Sequence, residues 1–229
     1  MVKLPAGAPH ADALTASARD FTDLPEALAL ELVKHARRVV VRKGALVYQR
    51  GDAPDGLYRL VQGSVRIGTT SPAGRELVLT DLKAGAFFGD ISLIDALPRT
   101  HDARALERCE LAVVPADRFR ALLAERPALA QHFLRALAAK LRLCFAVIES
   151  MGMQTVEQRL VQRLLWLAEQ RGRPELGAVS QADLAAMIGA TRQSINKELQ
   201  ELQRLGVLEV KGRSLTLLDP AKLRSLAGL

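Results

Sequence analysis

Four polar side chains within six residues, Arg192, Gln193, Asn196 and Lys197, are of the types that read nucleic acid. An Arg can form two hydrogen bonds to a guanine edge, a Gln or Asn two to an adenine edge, and a Lys can pair with a phosphate. Their spacing places them in the first turns of a helix whose other face carries Ile195, Leu199 and Leu202. One stripe is there to be buried and the other to be presented. A merely solvated surface would fit the same pattern. Against it stand Lys211 and Arg213, which fall at the tip of a hairpin where phosphate contacts would be made.

Elements on both sides must hold that helix. Thr191 is placed to cap it over 192–205, and Gly206 stops it. A preceding helix over 181–188 starts at Ser180, has Asp183 at the capping-box position, and ends at Gly189. Two short strands, 207–210 and 214–218, flank the turn Lys211-Gly212-Arg213. Helix, tight turn, helix and hairpin make a winged helix-turn-helix. Upstream, 156–170 reads as a helix with Leu160, Leu164, Leu165 and Leu167 on or near one stripe.

Before it, Ala130, Leu134, Leu137, Leu141, Cys144, Ile148 and Met151 recur at alternating steps of four and three. This is a heptad seam, able to bury itself against its own domain or against a copy of the chain. A β-rich block before it and a DNA-reading block after it favour the copy, so a parallel or near-parallel homodimer is expected. That β-rich block is a series of short, partly alternating runs separated by Gly44, Gly51-Asp52, Pro54-Asp55-Gly56, Gly63, Pro72-Ala73-Gly74 and Gly85. Such spacing makes a sandwich, roll or barrel.

Composition agrees with this plan without proving it. The 229 residues carry a net charge of +7, which favours a polyanionic partner. Cys109 and Cys144 lack ligand spacing and are expected to be buried, reduced thiols, while His10, His35, His101 and His132 are scattered, so no metal site is expected. Residues 1–20 read as a loosely ordered tail with no apolar signal, and no stretch approaches a membrane span, so a cytoplasmic protein without a membrane partner is expected.

The run from Val179 to Leu199 resembles the helix-turn-helix of the cyclic-AMP receptor protein/FNR family of bacterial transcription regulators. Phe88-Gly89-Asp90-Ile91-Ser92-Leu93 and Pro98-Arg99-Thr100 resemble the same family's phosphate-binding cassette. The resemblance implies an α+β chain: a tail (1–20), a cyclic-nucleotide-binding-type β-roll (21–125), a long dimerisation helix (126–155) and a winged helix-turn-helix (156–229). It implies a homodimeric regulator of double-stranded DNA that also meets RNA polymerase, is not an enzyme, and requires no cofactor. The implied effector is cyclic AMP, another cyclic nucleotide, or some other phosphate-bearing small molecule.

For the ligand, the resemblance points to Gly89, Asp90, Ile91, Ser92, Arg99 and Thr100, with Cys144 and Phe145 standing where the cyclic-AMP receptor has two hydroxyl residues that meet the adenine amino group. Backbone N–H groups at the start of a helix near Gly89, the Arg99 guanidinium and the Thr100 hydroxyl suit a phosphate. For DNA, it points to Ser180, Thr191, Arg192, Gln193, Ser194, Asn196, Lys197, Lys211 and Arg213. Departures from the family pattern keep a second possibility open, a ligand-independent regulator with a degenerate pocket. Asp90 replaces Glu and is shorter by about one carbon–carbon bond. His101 and Asp102 follow the phosphate contacts, Cys144 is a poor donor, and Phe145 is none. Gln193 and Lys197 replace the Glu and Arg of the best-known member, so its operator is not carried over.

Overall fold

The structure is a computed structural model that describes residues 24–74, 76–212 and 214–228. The expected tail over 1–20 and Arg213, expected at the wing tip, lie outside the described residues. The chain forms two compact units, and the division between them falls inside one long helix, between Arg142 and Leu143.

The first unit begins with α1 (Glu26–Val33) and continues through eight strands: β1 (Arg37–Val41), β2 (Leu46–Tyr48), β3 (Gly56–Gln62), β4 (Ser64–Thr70), β5 (Glu76–Lys83), β6 (Phe87–Phe88), β7 (Asp102–Ala105) and β8 (Cys109–Pro115). They pair antiparallel in two four-stranded sheets, ordered β1-β8-β3-β6 and β2-β7-β4-β5. Tyr58, Leu60, Val65, Leu82, Phe88, Leu111 and Val113 form one core, and Leu32, Leu57, Phe87, Leu93, Val114, Phe119, Leu122, Leu129 and Phe133 form another. Neighbours along a strand face opposite ways. That rule sends Leu57 and Tyr58, and Phe87 and Phe88, into different cores, so the chain entering Gly89 is anchored on both sides.

Three helices complete this part: α2 (Ile91–Ile94), α3 (Ala116–Glu125) and α4 (Pro127–Met153), which passes beyond it. Leu129, Phe133 and Ala136 of α4 are buried. The heptad stripe is not: Leu134 is 64% exposed, Leu141 55%, Ile148 65% and Met151 53%. Cys144 is exposed as well, which corrects the expectation of two buried thiols, because it belongs to this same stripe. Cys109 is buried, and its Sγ donates to the Ser64 carbonyl at 3.2 Å.

The second unit holds α5 (Val156–Arg171), β9 (Glu175–Ala178), α6 (Gln181–Ile188), α7 (Arg192–Arg204), β10 (Leu208–Lys211), β11 (Ser214–Leu217) and α8 (Pro220–Leu226). A capping box of Thr155 and Gln158 starts α5. The sheet runs β10-β11-β9, and Leu160, Leu164, Leu176, Leu184, Ile195, Leu199, Leu202, Leu215, Leu217 and Leu223 pack into one core. β9 and α8 were not legible in the sequence. Gly177 interrupts the first, and the second is short, opening on Pro220 behind its cap Asp219. Among the described residues no helix is long and apolar enough to cross a membrane.

Candidate ligand cassette and DNA-reading surface

The cassette sits where β6 ends. Gly89 adopts φ +85°, and a Cβ there would stand 2.7 Å from Arg99 Nη1, so only glycine fits both the backbone and the arginine above it. Arg99 is 2% exposed. Its Nη1 donates to the Gly89 carbonyl at 2.7 Å, and its Nη2 donates to the Gly56 carbonyl and to Asp55 Oδ1, both at 2.8 Å. The guanidinium carbon lies 4.4 Å from the Tyr48 ring centroid and 5.5 Å from that of Tyr58, within reach of cation–π attraction. Its Nε is buried and has no partner among the described residues. Arg99, expected to bond a phosphate, is an inward-turned arginine largely satisfied by the protein, because a guanidinium at this depth needs acceptors and Asp55 supplies the charged one.

Asp55 also accepts from the Tyr58 hydroxyl at 2.7 Å. Burial works to raise its carboxyl, but the hydrogen bonds from Tyr58 and Arg99 outweigh it and hold the group below the ordinary carboxylate value. Burial pushes the phenols of Tyr48 and Tyr58 well above their ordinary range.

Asp90 is buried, and Lys140 Nζ from α4 donates to both of its oxygens, at 2.8 and 2.6 Å. Asp90, which the family resemblance places among the ligand residues, already holds a cation. Ile91 starts α2, two residues after Gly89, near which the phosphate-facing helix was expected to begin, and Ser92 Oγ donates to the Pro98 carbonyl at 3.2 Å. Thr100 is exposed, its hydroxyl 2.9 Å from His101 Nδ1. Burial, and next the nearby Arg50, lower the His101 pKa. Asp102 accepts from the Arg50 backbone N–H at 2.7 Å and so braces a loop. Cys144 and Phe145 belong to the second unit and are exposed in the single chain.

Asp55 and Lys140 were missed in the sequence reading. Gly56 and the "Pro-Asp-Gly" turn drew attention there as punctuation, while Lys140 lies beside the heptad stripe with nothing local to connect it to a residue fifty positions earlier.

In the second unit the caps form as the sequence indicated. Ser180 Oγ accepts from Asp183 N and Thr191 Oγ1 from Ser194 N, both at 3.0 Å. The hydroxyls are further engaged, Ser180 donating to Asp183 Oδ2 at 2.6 Å and Thr191 and Ser194 sharing a 2.8 Å bond. Arg192, Gln193, Asn196 and Lys197 are all exposed on α7. Arg192, Gln193 and Asn196 line a surface concavity of about 620 Å³ with a fourth residue, Gln181 of α6. Gln181 Nε2 donates to Asn196 Oδ1 at 3.1 Å. Lys211 is exposed on the wing and pairs with Glu209 at 3.0 Å. No group of three His, Cys, Asp or Glu side chains gathers among the described residues.

Comparison with known proteins places these two sites in context. Residues 38–126 match the cyclic nucleotide-binding domain family, and residues 158–226 match the Crp-like helix-turn-helix domain family. The chain is 30% identical over 218 residues to a CRP-like cAMP-activated global transcriptional regulator of Mycobacterium tuberculosis, covering 93% of this chain and 97% of that one. It is 29% identical over 203 residues to the cyclic AMP receptor protein of Thermus thermophilus, covering 89% and 93%. A c-di-GMP-responsive global regulator of Xanthomonas campestris shares the fold, with a TM-score of 0.75 at 24% identity over 85% of this chain and all of that one.

Proposed function

The chain belongs to the cyclic-AMP receptor protein/FNR family of transcription regulators, and from that premise we propose a homodimer that binds double-stranded DNA under the control of a cyclic nucleotide or another phosphate-bearing small molecule held in the β-roll. It is a regulator and not an enzyme, in keeping with its relatives. The names of the Mycobacterium and Thermus relatives make cyclic AMP the first effector to test. RNA polymerase is the further partner this reading includes.

One observation carries the ligand reading. Next to the Gly89 turn, Arg99 and Asp90 are buried as opposite charges, and Arg99 Nε has no partner among the described residues. A phosphate at Arg99 would take the place of Asp55, and a sugar hydroxyl at Asp90 would compete with Lys140. Buried charges that exchange one set of partners for another give a ligand differential affinity for two states, which is what control requires. The exposed heptad stripe of α4 supports the dimer. In a dimer, the two recognition helices would have to stand roughly 34 Å apart to enter successive major grooves.

A second reading, a ligand-independent regulator, is favoured by the same bonds seen from the other side: Asp55 and Lys140 already neutralise the cassette. Isothermal calorimetry with cyclic AMP, cyclic GMP and cyclic di-GMP separates the two. Heat from one of them, lost in Arg99→Gln, supports ligand control. No heat from any of the three removes the cyclic-nucleotide claim and favours the ligand-independent regulator.

A further inference from the structure

Gln181 was not among the residues expected to meet DNA, yet it lines the same concavity as Arg192, Gln193 and Asn196. It starts α6, and its side chain reaches across to α7, where its Nε2 holds Asn196 Oδ1 at 3.1 Å. Neither residue is buried. The bond therefore joins two groups at the surface where bases would be read, and it is not a means of satisfying the core.

We infer that Gln181 is the positioning residue that sets which base Asn196 reads. A free Asn prefers adenine because its carboxamide accepts from N6 and donates to N7 at the same time. That contact needs both halves of the carboxamide aligned with the base edge. Gln181 holds the oxygen half, its Nε2 donating to Oδ1. With Oδ1 held, Asn196 presents its N–H groups, which suit an acceptor edge: guanine O6 and N7, or thymine O4. By turning Oδ1 toward α6, the Gln181–Asn196 pair thereby disfavours the two-bond adenine contact at one base pair of each half-site. This rests on the reading of α7 as the base-reading helix.

The test is in vitro selection of binding sites from random duplex DNA with the full-length protein and its Gln181→Ala, Gln181→Glu, Asn196→Ala and Arg192→Ala variants. Asn196→Ala identifies the base pair concerned by erasing the preference there. At that base pair the unaltered protein selects guanine or thymine, and Gln181→Ala moves the preference toward adenine by about fivefold or more. Glu can only accept, so Gln181→Glu turns Asn196 to show its oxygen and moves the preference toward cytosine. The Arg192 base pair keeps its preference in both Gln181 variants, which a general loosening of the domain would not allow. Selection of adenine by the unaltered protein, or an unchanged preference in Gln181→Ala while Asn196→Ala alters it, overturns the inference alone. Selected sites unaffected by both Arg192→Ala and Asn196→Ala overturn it together with the reading of α7.

Discussion

Arg99 ties the Gly89 turn, Gly56 and Asp55 of the β-roll together. It is buried, and its charged partner, Asp55, comes from a turn 44 positions earlier. Replacing Asp55 with Ala leaves the guanidinium dependent on two backbone carbonyls and should cost about 1–3 kcal/mol of stability, measured by urea unfolding. The same pair has a pH signature. Asp55 is held below its ordinary value of 3.8, so the folded state gains from its ionised form above that pH and loses that gain as the pH falls below it. Thermal unfolding between pH 5 and pH 3 should therefore fall less steeply in Asp55→Asn than in the unaltered protein, at about those pH values. Equal slopes would show that Asp55 contributes nothing to the acid limb. Gly89 completes the arrangement. A Cβ at φ +85° and 2.7 Å from Arg99 Nη1 forces both backbone and guanidinium to move, so Gly89→Ala should cost about 1–3 kcal/mol in the same measurement.

At the scale of elements, α4 carries two stripes with different fates. Leu129, Phe133 and Ala136 are buried, whereas Leu134, Leu141, Ile148 and Met151 face outward. Glu at Leu141 and Ile148 together should convert a dimer into a monomer in sedimentation equilibrium while leaving the far-ultraviolet circular dichroism of the helices in place. A dimer that survives both charges would place the interface elsewhere. This helix also shows what the sequence could express and what it could not. Periodicity is local, so the heptad stripe, the caps Ser180 and Thr191 and the two faces of α7 were all legible from neighbouring residues. Lys140 on Asp90, Asp55 on Arg99 and Gln181 on Asn196 join residues 50, 44 and 15 positions apart, and each depends on how one element is seated on another. β9 was hidden for a related reason: its pairing with β11 is a tertiary fact, and Gly177 weakens any local strand signal.

At the scale of the whole molecule, a sensor and a DNA reader on one chain have a purpose only if they are coupled, and coupling is reciprocal: an effector that tightens DNA binding is itself bound more tightly by the DNA complex. The most direct test is the affinity for a selected duplex site, measured by fluorescence anisotropy with and without cyclic AMP, cyclic GMP and cyclic di-GMP, in the unaltered protein and in Arg99→Gln. Control through the β-roll predicts a change of about 5- to 150-fold with one of the nucleotides, and no change with that nucleotide in Arg99→Gln. The same affinity for the site with and without every one of them would contradict it.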